Sequence, residues 1–380
     1  MLMKYISKSI KTGLLLAFSA MTILSSCNKD VEQLQGPATV LTPTTPTLAT
    51  LLDDPTYSIF KAAVVKAGLL PTLANTSLRF TMFIPNDAAM TASGLSLAVI
   101  NALPATSVTP LVSYHIIPQT VPWSSVTNTF PNFQYPTIYN PAPALSALLR
   151  LTTFPSNRNG MWLNNVPVVQ TDIPAVNGVA HRIALATAPP SRYLWDRVST
   201  DADLTIFKAA ITRADSGVAI TSTSSLTGAM QNIGANLTVF APSNQAFKNV
   251  IATLTGGAIN NSQPDATYIA FLGGSSITTQ TVKGIVVYHI MGVRAFLNNF
   301  PTTATAYPTL LNGAIPTHPG ATLKVTFTGL TTITSATVKG VINATASNIA
   351  INPTPDPGGT SDQHFLNGVL HKIDQVLLPQ

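Results

Sequence analysis

Cysteine and glutamate are almost absent from this sequence of 380 residues. Cys27 is the only cysteine, so the chain cannot form an intramolecular disulfide or a metal site built on several thiolates. Glu32 is the only glutamate, and charged residues make up 9% of the chain, against roughly one quarter in typical soluble domains. The surface must therefore be covered largely by neutral polar side chains, and catalysis by paired carboxylates is poorly supplied.

Common motifs of catalysis and of nucleic-acid binding are also missing. The sequence contains no His-Glu-x-x-His, no Gly-x-Ser-x-Gly, no phosphate-binding glycine loop and no aspartate-rich calcium loop. Its formal net charge is only +6, and lysine and arginine do not cluster with aromatic residues, as they do on nucleic-acid-binding surfaces. We predict a protein that is not an enzyme, needs no cofactor or metal, and binds no nucleic acid.

The N-terminal segment has the pattern of a secretion signal. Three lysines within the first eleven residues precede an apolar run, Gly13 to Leu24, that is too short to span a membrane as a helix. The run ends in leucine, two serines and Cys27, which resembles a bacterial lipobox, where the cysteine is acylated and becomes the mature N-terminus. We predict a lipoprotein signal peptide over residues 1–26 and lipidation at Cys27. An ordinary secretion signal with an incidental cysteine is the alternative.

Residues 27–48 have the composition of a tether. They contain three prolines among threonines and few apolar side chains, so they cannot build a core. Lys29 and Asp30 resemble the charged export signal of surface lipoproteins in Bacteroidetes, and an ordinary solvated pair of charges explains them equally well. These features predict a lipid-anchored protein of the outer membrane, exposed at the cell surface.

An eleven-residue stretch occurs twice in the remaining chain. LTVFAPSNQAF begins at Leu237, and FTMFIPNDAAM begins at Phe80. In each copy a β-rich apolar run ends at a proline, Pro85 or Pro242, which has no amide hydrogen to continue a sheet. A residue able to cap a helix follows, and apolar residues then recur at helical spacing in the second copy. The stretch therefore predicts a strand, a turn and a helix, twice.

Other segments repeat in the same order, which indicates an internal duplication. The string Ile-Phe-Lys-Ala-Ala begins at Ile59 and again at Ile206. A tyrosine–histidine pair follows in each copy, and an Asn-Gly-Val segment precedes a further histidine near each end. The repeated tyrosines and histidines are Tyr114, His115 and His181 in copy one and Tyr288, His289 and His371 in copy two.

Taken together, these segments resemble the signatures of the fasciclin domain family in both copies. The resemblance implies an α+β fold with two tandem domains, each a small β-sandwich or wedge with packed helices. We place domain 1 at residues 49–190 and domain 2 at residues 199–380. The resemblance also implies an adhesion module. Copy one departs from the family pattern in its closing strand, because it lacks the aspartate that copy two has at Asp374.

The repeated motif residues have two interpretations. The four histidines lie within apolar runs that we interpret as strands, and a histidine in such a strand favours a hydrogen-bonded core residue over a ligand. In animal fasciclin proteins the tyrosine–histidine region is associated with adhesion through integrins. For Tyr114 and Tyr288 we favour core packing with a buried hydroxyl hydrogen bond.

Copy two is longer than copy one. The additional residues fall within 215–236, within 255–283 and around 352–363, which are rich in Gly, Ser, Thr, Asn and Pro and therefore predict surface loops. Such loops often carry binding residues, and neutral drift in loop length is the alternative.

We predict a non-catalytic lipoprotein that serves adhesion or ligand binding at a bacterial envelope, with a protein or glycan as its unidentified ligand. The alternative is a glycan-binding accessory lipoprotein that serves a neighbouring outer-membrane transporter. Exposed aromatic side chains in a groove would favour the alternative, because their faces stack on sugars. The candidates for this role are Trp123, Tyr135, Tyr139 and Trp162.

Overall fold

A computed structural model describes residues 45–222 and 224–380, and Thr45–Gln380 form one compact unit. The predicted signal peptide, Cys27 and most of the predicted tether lie outside the described residues. Leu48, which we assigned to the tether, is fully buried in the core of domain 1, so the folded part begins before residue 49. Within the described residues, no helix is long and apolar enough to cross a membrane.

Copy one is a mixture of short helices and strands. Its helices are α1 (Leu48–Leu51), α2 (Ser58–Lys66), α3 (Leu70–Ala74), α4 (Asp87–Ala92), α5 (Leu97–Ala102) and α6 (Ala105–Tyr114). Its strands are β1 (Phe80–Pro85), β2 (Ile116–Ile117), β3 (Tyr135–Pro136), β4 (Thr152–Thr153), β5 (Pro155–Ser156), β6 (Trp162–Leu163), β7 (Val166–Ala175) and β8 (Gly178–Ile183).

Copy two repeats this order of helices and strands, and several of its elements are longer. Its helices are α7 (Leu194–Thr200), α8 (Thr205–Ala214), α9 (Leu226–Ala229), α10 (Asn244–Leu254), α11 (Asp265–Gly273) and α12 (Thr279–Tyr288). Its strands are β9 (Leu237–Pro242), β10 (Ile290–Met291), β11 (Thr305–Tyr307), β12 (Ala321–Thr328), β13 (Thr332–Lys339), β14 (Ser347–Asn348), β15 (Gln363–Phe365) and β16 (Gly368–Ile373).

The repeated eleven-residue stretch forms the predicted strand, turn and helix in both copies. β1 ends at Pro85 and β9 ends at Pro242. The Asn86 side chain then accepts a hydrogen bond from an amide in the first turn of α4, and Ser243 does the same for α10. The predicted strand ends at the prolines and the predicted helix caps behind them are therefore confirmed.

In each copy this strand pairs in parallel with the closing strand, which is distant in sequence. The sheet orders are β2-β1-β8-β7-β6-β5 in copy one and β10-β9-β16-β15 in copy two. β1 and β8 approach so closely that a Cβ on Gly178 would lie 1.9 Å from the carbonyl oxygen of Phe80, and one on Gly368 would lie 2.3 Å from that of Leu237. The repeated Asn-Gly step thus has a glycine because the neighbouring strand leaves no room for a side chain.

Both faces of the central strand are buried, which gives each domain two layers of core. In β1 the side chains of Met82 and Ile84 pack against the helices, whereas Phe83 packs into a second cluster formed mainly by β-strands and loops. In β9, Val239 and Phe240 divide between the two layers in the same way. Helices on one face and β-structure on the other give the predicted α+β architecture.

Further local predictions differ from the structure. The apolar segment around His115 is not a strand, because α6 runs to Tyr114 and only Ile116–Ile117 are extended. The segment 255–283, for which composition predicted a loop, contains α11 and the start of α12. α11 has the buried side chains Tyr268 and Leu272, so part of the additional sequence of copy two belongs to its core.

Candidate functional site

The histidine of each tyrosine–histidine pair lies at the C-terminal end of a helix, and its two ring nitrogens bond to main-chain groups. Nδ1 of His115 donates to the carbonyl of Leu111 at 2.7 Å, and Nε2 accepts from the amide of Thr187 at 3.1 Å. His289 repeats this arrangement with Ile285 at 2.8 Å and Leu377 at 2.8 Å. Burial lowers the pKa of both histidines to about 4, so they are neutral at physiological pH and hold the C-terminal segment of each domain against its helix.

The histidine of each closing strand makes the complementary pattern. Nε2 of His181 donates to the carbonyl of Val121 at 3.0 Å, and Nδ1 accepts from the amide of Asp172 at 3.1 Å. His371 has the same bonds, to Ala295 at 3.0 Å and from Asp362 at 3.1 Å. Burial lowers the pKa of His181 and lowers that of His371 to about 4. All four repeated histidines therefore have both ring nitrogens occupied.

The two repeated tyrosines are also part of the core. Tyr114 is fully buried, donates its hydroxyl hydrogen to the carbonyl of Thr152 at 3.1 Å, and accepts from the Asn164 amide at 3.1 Å. Burial raises its pKa to about 12. The hydroxyl of Tyr288 donates to the carbonyl of Gly320 at 2.7 Å. Neither side chain is accessible to a partner.

Sequence reasoning missed the structural role of the repeated asparagine that precedes the closing strand of each domain. Oδ1 of Asn177 accepts from the amide of Leu48 at 2.9 Å, and Oδ1 of Asn367 accepts from the amide of Leu194 at 3.0 Å. Each asparagine thus links the first helix of its domain to the closing strand. Its recurrence before each final glycine was the available signal.

The four aromatic candidates for glycan binding do not form an exposed platform. Trp123, Tyr135 and Trp162 are buried, and Tyr139 is partly exposed. Trp123 packs against the ring of His181 at a centroid distance of 5.3 Å, and the Trp162 indole donates to the carbonyl of Asn159 at 3.1 Å. Three of the four candidates therefore lack the exposed face that would favour glycan binding.

The two domains share a buried contact centred on Phe154. Its ring lies 6.0 Å from the ring of Phe296 in domain 2, measured between centroids, and the guanidinium of Arg294 lies 4.8 Å from its centre. Asn298 of domain 2 donates to the carbonyl of Asn164 in domain 1 at 3.0 Å. In the opposite direction, the Asn159 side chain of domain 1 donates to the carbonyl of Asn298 at 2.8 Å. These bonds fix the orientation of one domain on the other.

Among residues 45–222 and 224–380, Arg294 has no carboxylate partner in this contact. Its donors bind Oδ1 of Asn236 at 2.9 Å, Nε2 of His364 at 2.7 Å and the carbonyl of Leu366 at 3.1 Å. Burial lowers its pKa to about 10, which still leaves it charged at neutral pH. Burial, together with the charge of Arg294, keeps the pKa of His364 well below its ordinary value. A buried cation held by neutral acceptors and an aromatic face makes this contact sensitive to small changes in packing.

The third additional segment of copy two, around residues 352–363, is held by ion pairs. Asp356 lies 2.6 Å from a guanidinium nitrogen of Arg192 and 3.2 Å from one of Arg197, which is itself buried. Arg197 also donates to the carbonyls of Pro357 and Gly359. The segment is therefore a fixed part of domain 2 rather than a free loop.

This segment ends at a buried carboxyl, Asp362. Its main chain is left-handed with φ of 51°, and its Oδ1 accepts from the amide of Leu297 at 2.8 Å. Burial raises the pKa of Asp362 to about 7. The corresponding residue of copy one, Asp172, has the same left-handed main chain but an exposed side chain. The two copies therefore differ in charge burial at one equivalent position.

No group of His, Cys, Asp and Glu side chains suited to a metal ion occurs among residues 45–222 and 224–380. The repeated histidines and tyrosines are buried and already hydrogen-bonded within the protein. Among the described residues, these motif positions therefore do not form a pair of nucleophile and general base.

Comparison with known proteins identifies the family of the chain. A family profile described as Fasciclin domain matches residues 55–186 and again residues 203–379. The chain belongs to the fasciclin domain family, whose members are typically non-catalytic and occur in cell-adhesion proteins. Among solved structures the chain is similar to a FAS1 domain pair from the insect cell adhesion molecule fasciclin I, at 13% sequence identity, with a TM-score of 0.35 over 84% of this chain and 96% of that one. No curated protein matches the chain.

Proposed function

We propose that this protein is a lipid-anchored adhesion protein of a bacterial envelope, in which two fasciclin domains act as one stiff unit that binds a partner without chemical conversion. The observation that carries the proposal is the use of the repeated motif residues. His115, His181, His289 and His371 are neutral, buried and bonded at both nitrogens. A side chain in that state holds a scaffold together and does not transfer protons to a substrate.

The lipid anchor is proposed from the residues before Cys27. The chain with Cys27→Ser should incorporate no labelled fatty acid and should leave the membrane fraction of the producing cell. Its control is Ser26→Ala, which keeps a small residue before the cysteine. Continued labelling of Cys27→Ser would show that the anchor lies elsewhere.

Adhesion is tested with the same pair of strains. Cells carrying the parent protein should adhere to a surface or to one another, and cells carrying Cys27→Ser should not, although they make the same amount of folded protein. Equal adhesion by a strain that lacks the gene would contradict an adhesive function.

The alternative of a glycan-binding accessory protein has less support, because only Tyr139 of the four aromatic candidates is more than marginally exposed. A glycan array probed with the Cys27→Ser chain tests it, with Tyr139→Ala as the matched variant.

A further inference from the structure

A loop of domain 1 presents two leucines to solvent. Residues 140–150 connect β3 to β4, and we name this segment the leucine loop. The side chains of Leu145 and Leu148 are 71% and 87% exposed, and they lie only three residues apart. Single exposed apolar residues are common, but two strongly exposed leucines on one short loop favour contact with an apolar partner.

The leucine loop has a defined conformation. Thr137 and Leu151 pair at its base, where the amide of Thr137 donates to the carbonyl of Leu151 at 2.9 Å. Within the loop, the Asn140 side chain donates to the carbonyl of Ser146 at 2.8 Å, and Arg150 donates to two loop carbonyls at 2.7 and 2.8 Å. Several polar groups are thus already paired inside the loop. Pairing of this kind lowers the cost of moving a loop out of water.

The charge composition of the sequence that contains the leucine loop favours an anionic surface. From residue 88 to residue 171 the sequence contains no aspartate and no glutamate. Arg150 is the only charged residue of the loop, and its side chain is exposed. Anionic lipid headgroups attract arginine and would meet no opposing carboxylate of this stretch.

We propose that the leucine loop inserts Leu145 and Leu148 into the membrane that carries the protein's own anchor. This inference rests on the lipid anchor proposed at Cys27. The 18 residues from Cys27 to Thr45 can span at most about 65 Å when fully extended. Domain 1 therefore stays near the bilayer surface, where tethering makes even a weak partition step effective. Insertion would set the orientation of the rigid domain pair on the membrane.

The insertion is tested by a fluorophore in the loop. Replacing Cys27 leaves a chain without cysteine, so Ala147→Cys gives a single labelling site beside the two leucines. A hexahistidine tag in place of Cys27 holds the protein on vesicles of phosphatidylethanolamine and phosphatidylglycerol that contain a nickel-chelating lipid. On capture, an environment-sensitive dye at residue 147 should shift to shorter wavelength and be quenched by a lipid-bound quencher.

The control label is Thr331→Cys, in the turn between β12 and β13 beside Leu330, which is 84% exposed. That label should not respond to capture. The same lack of response at residue 147 would overturn the proposal. Because the tag replaces acylation, this result is independent of fatty-acid labelling at Cys27, and the two proposals can fail separately.

The leucines themselves are tested with matched variants. Leu145→Ser combined with Leu148→Ser should abolish the dye response and lower the partition of the untagged chain into the same vesicles on the order of 100-fold. Leu254→Ser combined with Leu330→Ser removes two leucines of similar exposure and should leave partition unchanged. Equal losses in both pairs would refute a specific role for the loop. A dimer in sedimentation equilibrium that dissociates only in the Leu145/Leu148 variant would identify the loop as a self-association surface instead.

Discussion

Replacing Asp362 by asparagine should stabilise domain 2, and the gain should grow as pH rises. Asp362 is 93% removed from solvent, since its relative exposure is 7%, and its carboxyl accepts one main-chain hydrogen bond, from Leu297. Burial raises its pKa to about 7 in the folded chain, from 3.8 for an ordinary aspartate. Asparagine has nearly the same shape, can accept the same amide hydrogen, and tolerates the left-handed main chain.

The direction of the pH effect follows from linkage. Because the folded pKa lies above the unfolded one, the stability associated with this carboxyl is fully present below about pH 4 and is lost as pH rises through 7. A shift of about three pKa units corresponds to on the order of 4 kcal/mol, taken as an upper bound. The parent should thus lose free energy of unfolding between pH 4 and pH 8, and Asp362→Asn should not lose this contribution.

Nearby charges do not reverse the predicted loss of stability with rising pH. Nδ1 of His371 lies 3.9 Å from the Asp362 carboxylate, but that nitrogen accepts from the Asp362 amide, and burial keeps the pKa of His371 at about 4. The imidazole is therefore neutral over the range in which Asp362 ionises, and it cannot offset the buried negative charge.

The assay is urea unfolding of the Cys27→Ser chain at pH 5 and at pH 8, with Asp172→Asn as the control. Asp172 occupies the equivalent left-handed position in domain 1 but is exposed, so its replacement should change stability little at either pH. The reasoning is refuted if Asp362→Asn is no more stable than the parent at pH 8, or if its gain is as large at pH 5 as at pH 8.

Three further predictions test the scaffold. His289→Ala should lower the free energy of unfolding by about 1–3 kcal/mol, because the Leu377 amide loses its acceptor, and adhesion by the folded fraction should persist; lost adhesion at unchanged stability would contradict a structural role. Phe154→Ala should loosen the contact between the domains and lower the free energy of unfolding by about 3–5 kcal/mol in a denaturant titration. If stability and small-angle scattering both match the parent, Phe154 does not hold the domains together. Shortening 255–283 to remove α11 should lower the melting temperature by on the order of 10 °C or more, because two core side chains, Tyr268 and Leu272, are lost. An unchanged melting temperature would support the interpretation of this segment as a surface insertion.

The elements predicted best are those whose chemistry is local. A proline after an apolar run and a capping residue behind it are enough to end β1 at Pro85 and begin α4, because amide satisfaction is decided within a few residues. The duplication was also readable, since it is a property of the sequence itself. The burial of the repeated histidines followed from their apolar neighbours, although the helix that His115 ends did not, because a short apolar run fits a helix end as well as a strand.

The remaining features depend on which distant residues meet. Trp123 and Trp162 look like exposed binding aromatics in the sequence, and only the packing of the β-layer buries them. Asp172 and Asp362 occupy equivalent left-handed positions, yet the chain around residues 352–363 and domain 2 bury only the second. The Arg294 contact with Phe154 joins residues 140 positions apart. The sequence by itself determined the repeated strand–turn–helix units and their family, because those rest on backbone hydrogen bonding within short segments. Only the tertiary structure decided the burial of Trp123, Trp162 and Asp362, the raised pKa of Asp362 and the contact between the two domains, because each depends on residues distant in the sequence.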